Sequence, residues 1–146
     1  MQLLREIEIR YKTRKVKGKT TRVTGLKIVF QLFKDLQNEA KEKLIVINLN
    51  SKNIINSFEV VGIGTLNTTL TTPREIFRGA IVTNSAAVLC VHNHPSGDPT
   101  PSGDDIRLTR KLLKLAKILH FVFLDHVIIG ADTYTSIRKR NPKLFK

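Results

Sequence analysis

The chain has 146 residues, of which 41% are hydrophobic, enough for the core of one domain but not of two. Its 25 lysines and arginines exceed its 12 acidic residues and leave a formal net charge of +13, which favours acidic partners such as nucleic acid. A single cysteine excludes a disulfide framework and a four-thiolate zinc finger, and no apolar run approaches the roughly 20 residues that cross a bilayer, so we expect a cytoplasmic protein that does not enter a membrane.

The first residues differ in composition from the rest of the chain. Residues 1–24 are predicted to form a basic N-terminal strand or arm, with a short edge strand where apolar and charged residues alternate between Leu4 and Tyr11. A basic hairpin or loose segment is expected around Gly18. Residues 25–146 are then expected to form the main domain.

The next segments alternate between helix and strand patterns. Residues 26–40 place apolar side chains at helical spacing, which predicts an amphipathic helix. The apolar run at 43–50 predicts a strand that enters a turn, and residues 58–66 predict the strand that returns. A second helix is predicted to begin near Pro73 and to end near Asn84.

The C-terminal half continues this alternation. Residues 86–93 form a continuous apolar run that predicts a strand covered on both faces, with His92 near its C-terminal end. A loop rich in proline leads to a long helix at 104–119, followed by a strand at 121–130 and a short strand at 133–137. This order predicts an α/β or α+β fold, a three-layer sandwich in which helices flank a mixed β-sheet.

The stretch HNHPSGDPTPSGDD contains the residues most indicative of chemistry. His92 and His94 are separated by one residue, so a regular strand places both on one face. The loop can bring a carboxylate from the next helix against them, and imidazole with carboxylate is a ligand set that zinc accepts. Three protein ligands leave one position for water, whose pKa zinc lowers toward about 7. A nearby glutamate is expected as the general base, and Ser102 as a donor to the developing oxyanion.

These motifs resemble those of a known family. HxHP followed by SxxD is similar to the JAMM motif of JAB/MPN metalloenzymes, and HNHPSGDPTPSGDD with the downstream LDHVIIG resembles the RadC family within that group. The likeness covers roughly residues 26–137 and includes TPREIFRGAI. It implies a cytidine-deaminase-like JAMM/MPN domain, one Zn²⁺ ion, hydrolysis of a peptide or isopeptide substrate, and a possible link to DNA repair.

The resemblance also implies roles for individual residues. His92, His94 and Asp105 match the metal ligands, and Ser102 matches the serine of the SxxD element. The same SxxD also fits a capping box at the start of a helix, with Ser102 as N-cap and Asp105 at the third helical position. Both roles can hold together. Asp104 is expected to be a solvated residue of the first helical turn.

The acid/base glutamate has three candidates. The family's glutamate lies where the first helix passes into the first core strand, and Glu42 directly precedes that strand here. Glu39 is the second choice, one helical turn earlier. Glu75 is the third, because its position beside Arg74 and Arg78 suits ion pairing.

Two further polar residues remain open from sequence alone. Asp125 and His126 are expected within a strand, either as a pair that orients a metal ligand or as buried groups that hold a turn. Cys90 is expected to be a small buried hydrophobe.

The charge leaves an alternative to hydrolysis. The domain can be a DNA-associated binding module with a vestigial or structural metal site, or, less favoured, a metal-dependent nuclease, since paired metals suit phosphodiester cleavage better. Non-specific nucleic-acid binding would use the basic arm and tail, whereas the cations of the long helix fit a solvated face. The cations of the arm are Arg10, Lys12, Arg14, Lys15, Lys17, Lys19 and Arg22, and those of the tail are Arg138, Lys139, Arg140, Lys143 and Lys146.

Overall fold

The computed structural model describes residues 3–12, 15, 22–64 and 72–146. The strands are β1 (Lys43–Leu49), β2 (Ile55–Ile63), β3 (Ala87–Asn93), β4 (Val122–Gly130) and β5 (Thr133–Ser136). The α-helices are α1 (Leu26–Phe33), α2 (Pro73–Val82), α3 (Gly103–Ile118) and α4 (Ile137–Arg140). Two 3₁₀ helices cover Lys34–Asn38 and Pro142–Phe145.

The strands form one mixed sheet in the order β2-β1-β3-β4-β5. β3 and β4 pair in parallel, and the other neighbours pair antiparallel. The parallel pair needs a crossover connection, and α3 supplies it between the two strands. The predicted mixed sheet is therefore confirmed.

Alternation along β1 divides the core into two halves. Odd-numbered side chains such as Ile45 and Ile47 pack with Val29 of α1, whereas Leu44 and Val46 pack with α2 and α3 on the opposite face. Helices thus cover both faces of the sheet, as the predicted three-layer sandwich requires.

The helices begin where the sequence predicts, but the first one changes type. The α-helical part of the first predicted helix ends at Phe33 and continues as a 3₁₀ helix to Asn38. α2 begins after Thr72, whose hydroxyl accepts a hydrogen bond from the Glu75 backbone N–H, and the Glu75 carboxylate returns one to Thr72. The C-terminal α4 was not predicted. None of the described helices is long and apolar enough to cross a membrane.

The N-terminal region differs from expectation. Residues 3–12 are exposed and lie outside the sheet, so the predicted edge strand does not form there. The basic hairpin predicted around Gly18 lies outside the described residues. Arg22 makes an isolated antiparallel bridge to Ile54. Without apolar partners, alternation alone does not hold a segment against the sheet.

A bulge in β4 decides which of its side chains face α3. Val88 of β3 pairs with Phe123 of β4. Cys90 lies two residues after Val88, but it pairs with His126, which lies three residues after Phe123. β4 therefore carries one extra residue at this point. Because Cys90 belongs to the core half under α3, the bulge turns His126 to that face, where regular pairing would have placed Asp125.

The loop after β3 lies directly on the end of β4. The His94 backbone N–H donates to the Ile129 carbonyl at 3.0 Å, and the Ala131 N–H donates to the Gly97 carbonyl at 2.9 Å. A Cβ at Gly130 would lie 2.3 Å from the Gly97 oxygen and 3.0 Å from the Pro99 nitrogen. Glycine at 130 is therefore required for the loop that carries His94 to approach β4 this closely.

The substitution Gly130→Ala should destabilise the protein by about 1–3 kcal/mol, because the added Cβ would overlap backbone atoms that cannot move independently. Urea unfolding followed by circular dichroism measures this change. Gly25→Ala is the control, since Gly25 has extended backbone with nothing within 4 Å of an added Cβ. Equal unfolding midpoints for the two variants would contradict the prediction.

Candidate metal centre

Three predicted ligands converge between the end of β3 and the start of α3. The His92 Nε2 atom lies 3.2 Å from Asp105 Oδ1, and His94 Nε2 lies 3.2 Å from Asp105 Oδ2. The two Nε2 atoms are 3.0 Å apart. One ligand atom from each residue lies within 4.8 Å of the other two. His92 is fully buried, and Asp105 is 5% exposed, so the group sits at the inner wall of the site.

The helix cap and the candidate ligand are the same carboxylate. The Ser102 hydroxyl accepts a hydrogen bond from the Asp105 N–H at 3.1 Å, and Asp105 Oδ2 accepts one from the Ser102 N–H at 2.7 Å. This complete capping box fixes the Asp105 side chain at the start of α3. The cap uses one lone pair of the Ser102 hydroxyl and leaves its proton for another acceptor.

Strand register brings Glu42 to the same place. β1 and β3 pair antiparallel with Leu44 opposite His92. If the same register is continued by two residues, backward from Leu44 and forward from His92, Glu42 falls opposite His94. Glu42 is half-buried and lines a cavity of about 340 Å³ together with His94, Ser102 and Asp105.

The two alternative glutamates have other contacts. Glu39 is 41% exposed at its side chain and pairs with the Lys43 Nζ atom at 2.7 Å. The Glu75 carboxylate accepts hydrogen bonds from the N–H and hydroxyl of Thr72 at the start of α2. The described residues that line the site cavity include neither of them. Of the three candidates, the structure brings Glu42 to the histidines.

Asn93 is a contributor that the sequence analysis missed. Its side chain, fully buried, accepts from the Lys43 N–H at 2.8 Å and donates to the Lys41 carbonyl at 3.1 Å. These two backbone groups flank Glu42, so Asn93 holds the segment that presents this glutamate. The signal was present in the HNH motif, because a polar residue between two ligands points to the other side of the strand and needs partners there.

The electrostatics of the site favour a cation. Burial raises the pKa of Asp105, but the hydrogen bonds to His92 and His94 outweigh it and hold that pKa well below its usual range. The hydrogen bond to Asp105 raises the pKa of His94, whereas burial lowers it. The hydrogen bond to the Asp98 carbonyl and the negative charge of Glu42 raise it further. An ionised carboxylate beside two imidazoles is therefore the resting arrangement of these groups.

The orientation of His94 suits metal ligation. Its Nδ1 atom lies 2.8 Å from the Asp98 backbone carbonyl, which accepts but cannot donate. The carbonyl therefore holds a proton on Nδ1 of His94, and loss of the Nε2 proton would leave a lone pair that faces His92 and Asp105. Two imidazole nitrogens and a carboxylate from a partly buried cavity wall are a donor set that fits a divalent ion such as zinc.

His126 and Asp125 serve different purposes. His126 Nε2 lies 2.8 Å from His92 Nδ1, and its Nδ1 lies 2.7 Å from the Thr109 hydroxyl, so this residue contacts a candidate ligand directly. Burial lowers the pKa of His126 to about 3. Both ring nitrogens of this buried residue thus have hydrogen-bonding partners.

Asp125 instead holds the end of the chain in place. Its carboxylate accepts hydrogen bonds from the Ser136 hydroxyl, the Arg138 N–H and the His126 N–H. Burial raises the pKa of Asp125 against these hydrogen bonds. Cys90 is fully buried, and burial raises the pKa of its thiol, as expected for a small buried hydrophobe.

Comparison with known proteins gives one family. The chain matches RadC-like JAB domains over residues 23–142. A UPF0758 protein of Clostridium botulinum (strain Loch Maree / Type A3) is 42% identical over 137 residues, which cover 94% of this chain and 60% of the relative. A UPF0758 protein of Methanosarcina mazei is 44% identical over 118 residues, which cover 80% of this chain and 52% of the relative. The chain thus spans between half and two thirds of the length of these relatives.

The substitution Asp105→Asn should weaken zinc binding by about 100-fold or more, because a carboxylate ligand becomes a neutral amide. This loss exceeds the one expected when a residue that only hydrogen-bonds to a ligand is removed. Competition with a chromophoric chelator measures the affinity. The amide oxygen can still accept from the Ser102 N–H, so the helix cap is preserved.

Asp104→Asn is the matched control. Asp104 precedes Asp105 in the same helical turn, is exposed, and pairs with Arg107. Its substitution should leave zinc affinity within about twofold, since exposed ion pairs contribute little. Equal losses in both variants would show that the first turn of α3 binds zinc by charge alone and would contradict the assignment of Asp105.

Proposed function

The chain belongs to the family of RadC-like JAB domains, and on that premise we propose that it is a zinc-dependent hydrolase of peptide or isopeptide bonds. The observation that carries this proposal is the convergence of two imidazoles and a carboxylate at a cavity that Glu42 also lines. A metal site with a neighbouring carboxylate outside the ligand set is the arrangement that hydrolysis by activated water needs.

The residues divide the work of hydrolysis among them. His92, His94 and Asp105 would hold one zinc ion, which supplies a Lewis acid that lets water ionise near neutral pH. Glu42 takes the proton from the attacking water and returns it to the leaving amine nitrogen. The Ser102 hydroxyl donates its proton in a hydrogen bond to the substrate carbonyl oxygen as negative charge develops there.

Asn93 supports this chemistry indirectly. Its amide binds the backbone on both sides of Glu42, so the backbone that carries this carboxylate is held in place relative to His94. A general base must lie within hydrogen-bonding reach of the proton that it removes, and a mobile strand end would not maintain that distance. Asn93 is thus a positioning residue for Glu42.

The substitution Glu42→Gln should lower turnover by about 10²- to 10⁴-fold, because glutamine cannot accept the water proton, while zinc content stays unchanged. Turnover is measured with zinc-loaded protein on a panel of quenched-fluorescence substrates. The panel should contain both peptide bonds and bonds to a lysine ε-amino group.

Glu39→Gln is the control for Glu42→Gln. Glu39 lies three residues earlier in an ion pair with Lys43, and its loss removes the same charge from the same region of the surface. Its turnover should match that of the unmodified protein. If Glu42→Gln retained full turnover, the role of Glu42 would be rejected.

A second candidate function has its own observation. A cavity of about 620 Å³ between α3 and the C-terminal segment is lined by Arg110, Arg140 and Lys143. Hydrogen bonding by Thr100 lowers the pKa of Asp98, and the charges of His94 and Arg140 lower it further, so Arg140 acts electrostatically on the loop that follows His94. The Asp98 carbonyl in turn accepts from His94. This clustering supports non-specific nucleic-acid binding, with the phosphate backbone as the contacted group.

Binding of a labelled DNA duplex should weaken steeply with salt if this cavity contacts phosphates. Three contacts predict a slope near −2.7 in a plot of log affinity against log salt, at about 0.9 per phosphate. Arg110→Gln should reduce the slope by about 1, whereas Lys52→Gln, an exposed lysine in the β1–β2 turn, should not change it. A flat salt response would remove this candidate.

A further inference from the structure

Residues 6–12 have the alternating pattern of a strand, but no strand in the described part of the chain pairs with them. Ile7, Ile9 and Tyr11 lie on one side of an extended chain, and their exposed fractions are 90%, 46% and 62%. An unpaired strand also presents its backbone N–H and C=O groups to other strands. The pattern therefore indicates a partner outside the described part of a single copy.

The charged side of this segment has a contact typical of a strand. The Arg10 Nη2 atom lies 2.9 Å from Glu8 Oε2, and both side chains are exposed. Side chains two residues apart share a face when the backbone is extended, whereas on a helix they do not face each other. The contact thus agrees with an extended backbone, the conformation that strand pairing needs.

Charge distinguishes this segment from the rest of the basic arm. Residues 1–24 contain two acidic residues, Glu6 and Glu8, and both lie within it. Arg10 and Lys12 balance them, so residues 6–12 have no net charge in a chain whose formal charge is +13. Two copies of this segment therefore lack the mutual repulsion that two wholly basic segments would have.

We propose that residues 6–12 form an antiparallel pair of strands with the same residues of a second copy of this chain, with Ile9 opposite Ile9. An antiparallel pair of identical segments has a two-fold axis, which is the commonest symmetry of protein dimers. The strand that the sequence predicts in the arm then forms between two copies rather than within one. This inference is independent of the proposed hydrolysis, because no residue of the candidate metal centre takes part.

In this register each charge on one side of the pair faces an opposite charge. Glu8 lies opposite Arg10 of the second copy, and Glu6 lies opposite its Lys12. The two-fold axis repeats both contacts, so every glutamate has a basic partner from the other copy. Opposite charges directly across two strands stabilise the pair, and like charges destabilise it.

The apolar side is matched in the same register. Ile9 lies opposite Ile9, and Ile7 lies opposite Tyr11 of the second copy. Contacts between aromatic and β-branched side chains stabilise antiparallel strands. Three exposed apolar side chains from each copy thus become neighbours on one face of the pair.

Other arrangements lack this complementarity. Sliding one strand by two residues centres the pair on Glu8 or on Arg10 and puts two like charges directly opposite each other. Sliding it by one residue places apolar side chains opposite charged ones. Parallel pairing in register aligns each glutamate with a glutamate. The sequence therefore favours the antiparallel pair centred on Ile9.

The paired segment is short, so the dimer is weak. Stable protein–protein interfaces contain roughly 20–30 residues on each side, far more than this segment provides, and an isolated pair of strands is marginally stable. We therefore expect a dissociation constant on the order of 100 μM.

Sedimentation equilibrium of the full chain measures this association between about 10 μM and about 1 mM. Treatment with a nuclease and a metal chelator ensures that neither nucleic acid nor a metal ion links two copies. We expect a reversible equilibrium between monomer and dimer. A monomer at all these concentrations would overturn the proposal.

Exchange of charges tests the surface and its register. Glu8→Arg places an arginine opposite Arg10, and Arg10→Glu places a glutamate opposite Glu8, so each variant alone should dimerise about tenfold more weakly. An equimolar mixture of the two variants restores opposite charges at both positions, and native mass spectrometry should show mainly the mixed dimer. Dimerisation that neither substitution weakens, or a mixture that does not recover it, would overturn the proposal.

Arg5→Glu is the matched control. Arg5 lies in the same exposed arm, directly before the paired segment, and its reversal changes the net charge as much as Arg10→Glu does. Dimerisation of this variant should stay within about twofold of the unmodified protein, since exposed charges outside a contact contribute little. An equal loss in Arg5→Glu and Arg10→Glu would assign the association to the overall charge of the arm and overturn the proposal. Each substituted side chain is exposed in the single chain, so none of these variants removes a contact of the core.

Discussion

The capping box at the start of α3 is the interaction on which the site depends. Asp105 accepts from the Ser102 N–H with the same carboxylate that faces His92 and His94. One side chain therefore both caps the helix and faces the histidines, so the geometry of the cap sets the position of the candidate ligand. A carboxylate on a mobile loop would have to be ordered at an entropic cost, which is avoided here.

The sheet face beneath α3 is unusually polar for a core. His92, His126 and Thr109 are fully buried there beside apolar residues such as Leu112 and Cys90. Each of these polar groups has a partner, which limits the cost of removing it from water. A satisfied network of this kind admits few alternative packings, so rigidity at the site follows from burial rather than from a rigid loop.

Sequence predicted the parts of the site that follow from local periodicity. The two-residue period of a strand places His92 and His94 on one face, and an SxxD pattern at a helix start places Asp105 in the first turn. The fold class followed in the same way from alternating patterns. Glu42 needed more, because its position depends on the pairing of β1 with β3, and it was singled out only through resemblance to a family.

The features that the sequence left open or missed are those that depend on tertiary register. The contacts of His126 require both a bulge in β4 and the placement of Thr109 on α3. The hydrophobic pattern of the sequence predicts neither. The HNH motif indicates that Asn93 needs partners on the other face of the strand, but it does not indicate that these are backbone groups fifty residues away. The edge strand expected between Leu4 and Tyr11 is the opposite case. The alternating pattern is present there, but these residues do not pair with a described strand.

The bulge in β4 also makes the place behind His92 sensitive to how this strand is aligned with β3. If the same residues paired regularly from Val88 and Phe123 onward, Asp125 would lie opposite Cys90 and would turn to the face under α3 that His126 occupies. A carboxylate would then replace an imidazole beside the candidate ligand, and an anionic neighbour makes a histidine ligand a stronger electron donor. A shift in the pairing of these two strands would thus alter the electronic character of the centre while every ligand residue stayed the same.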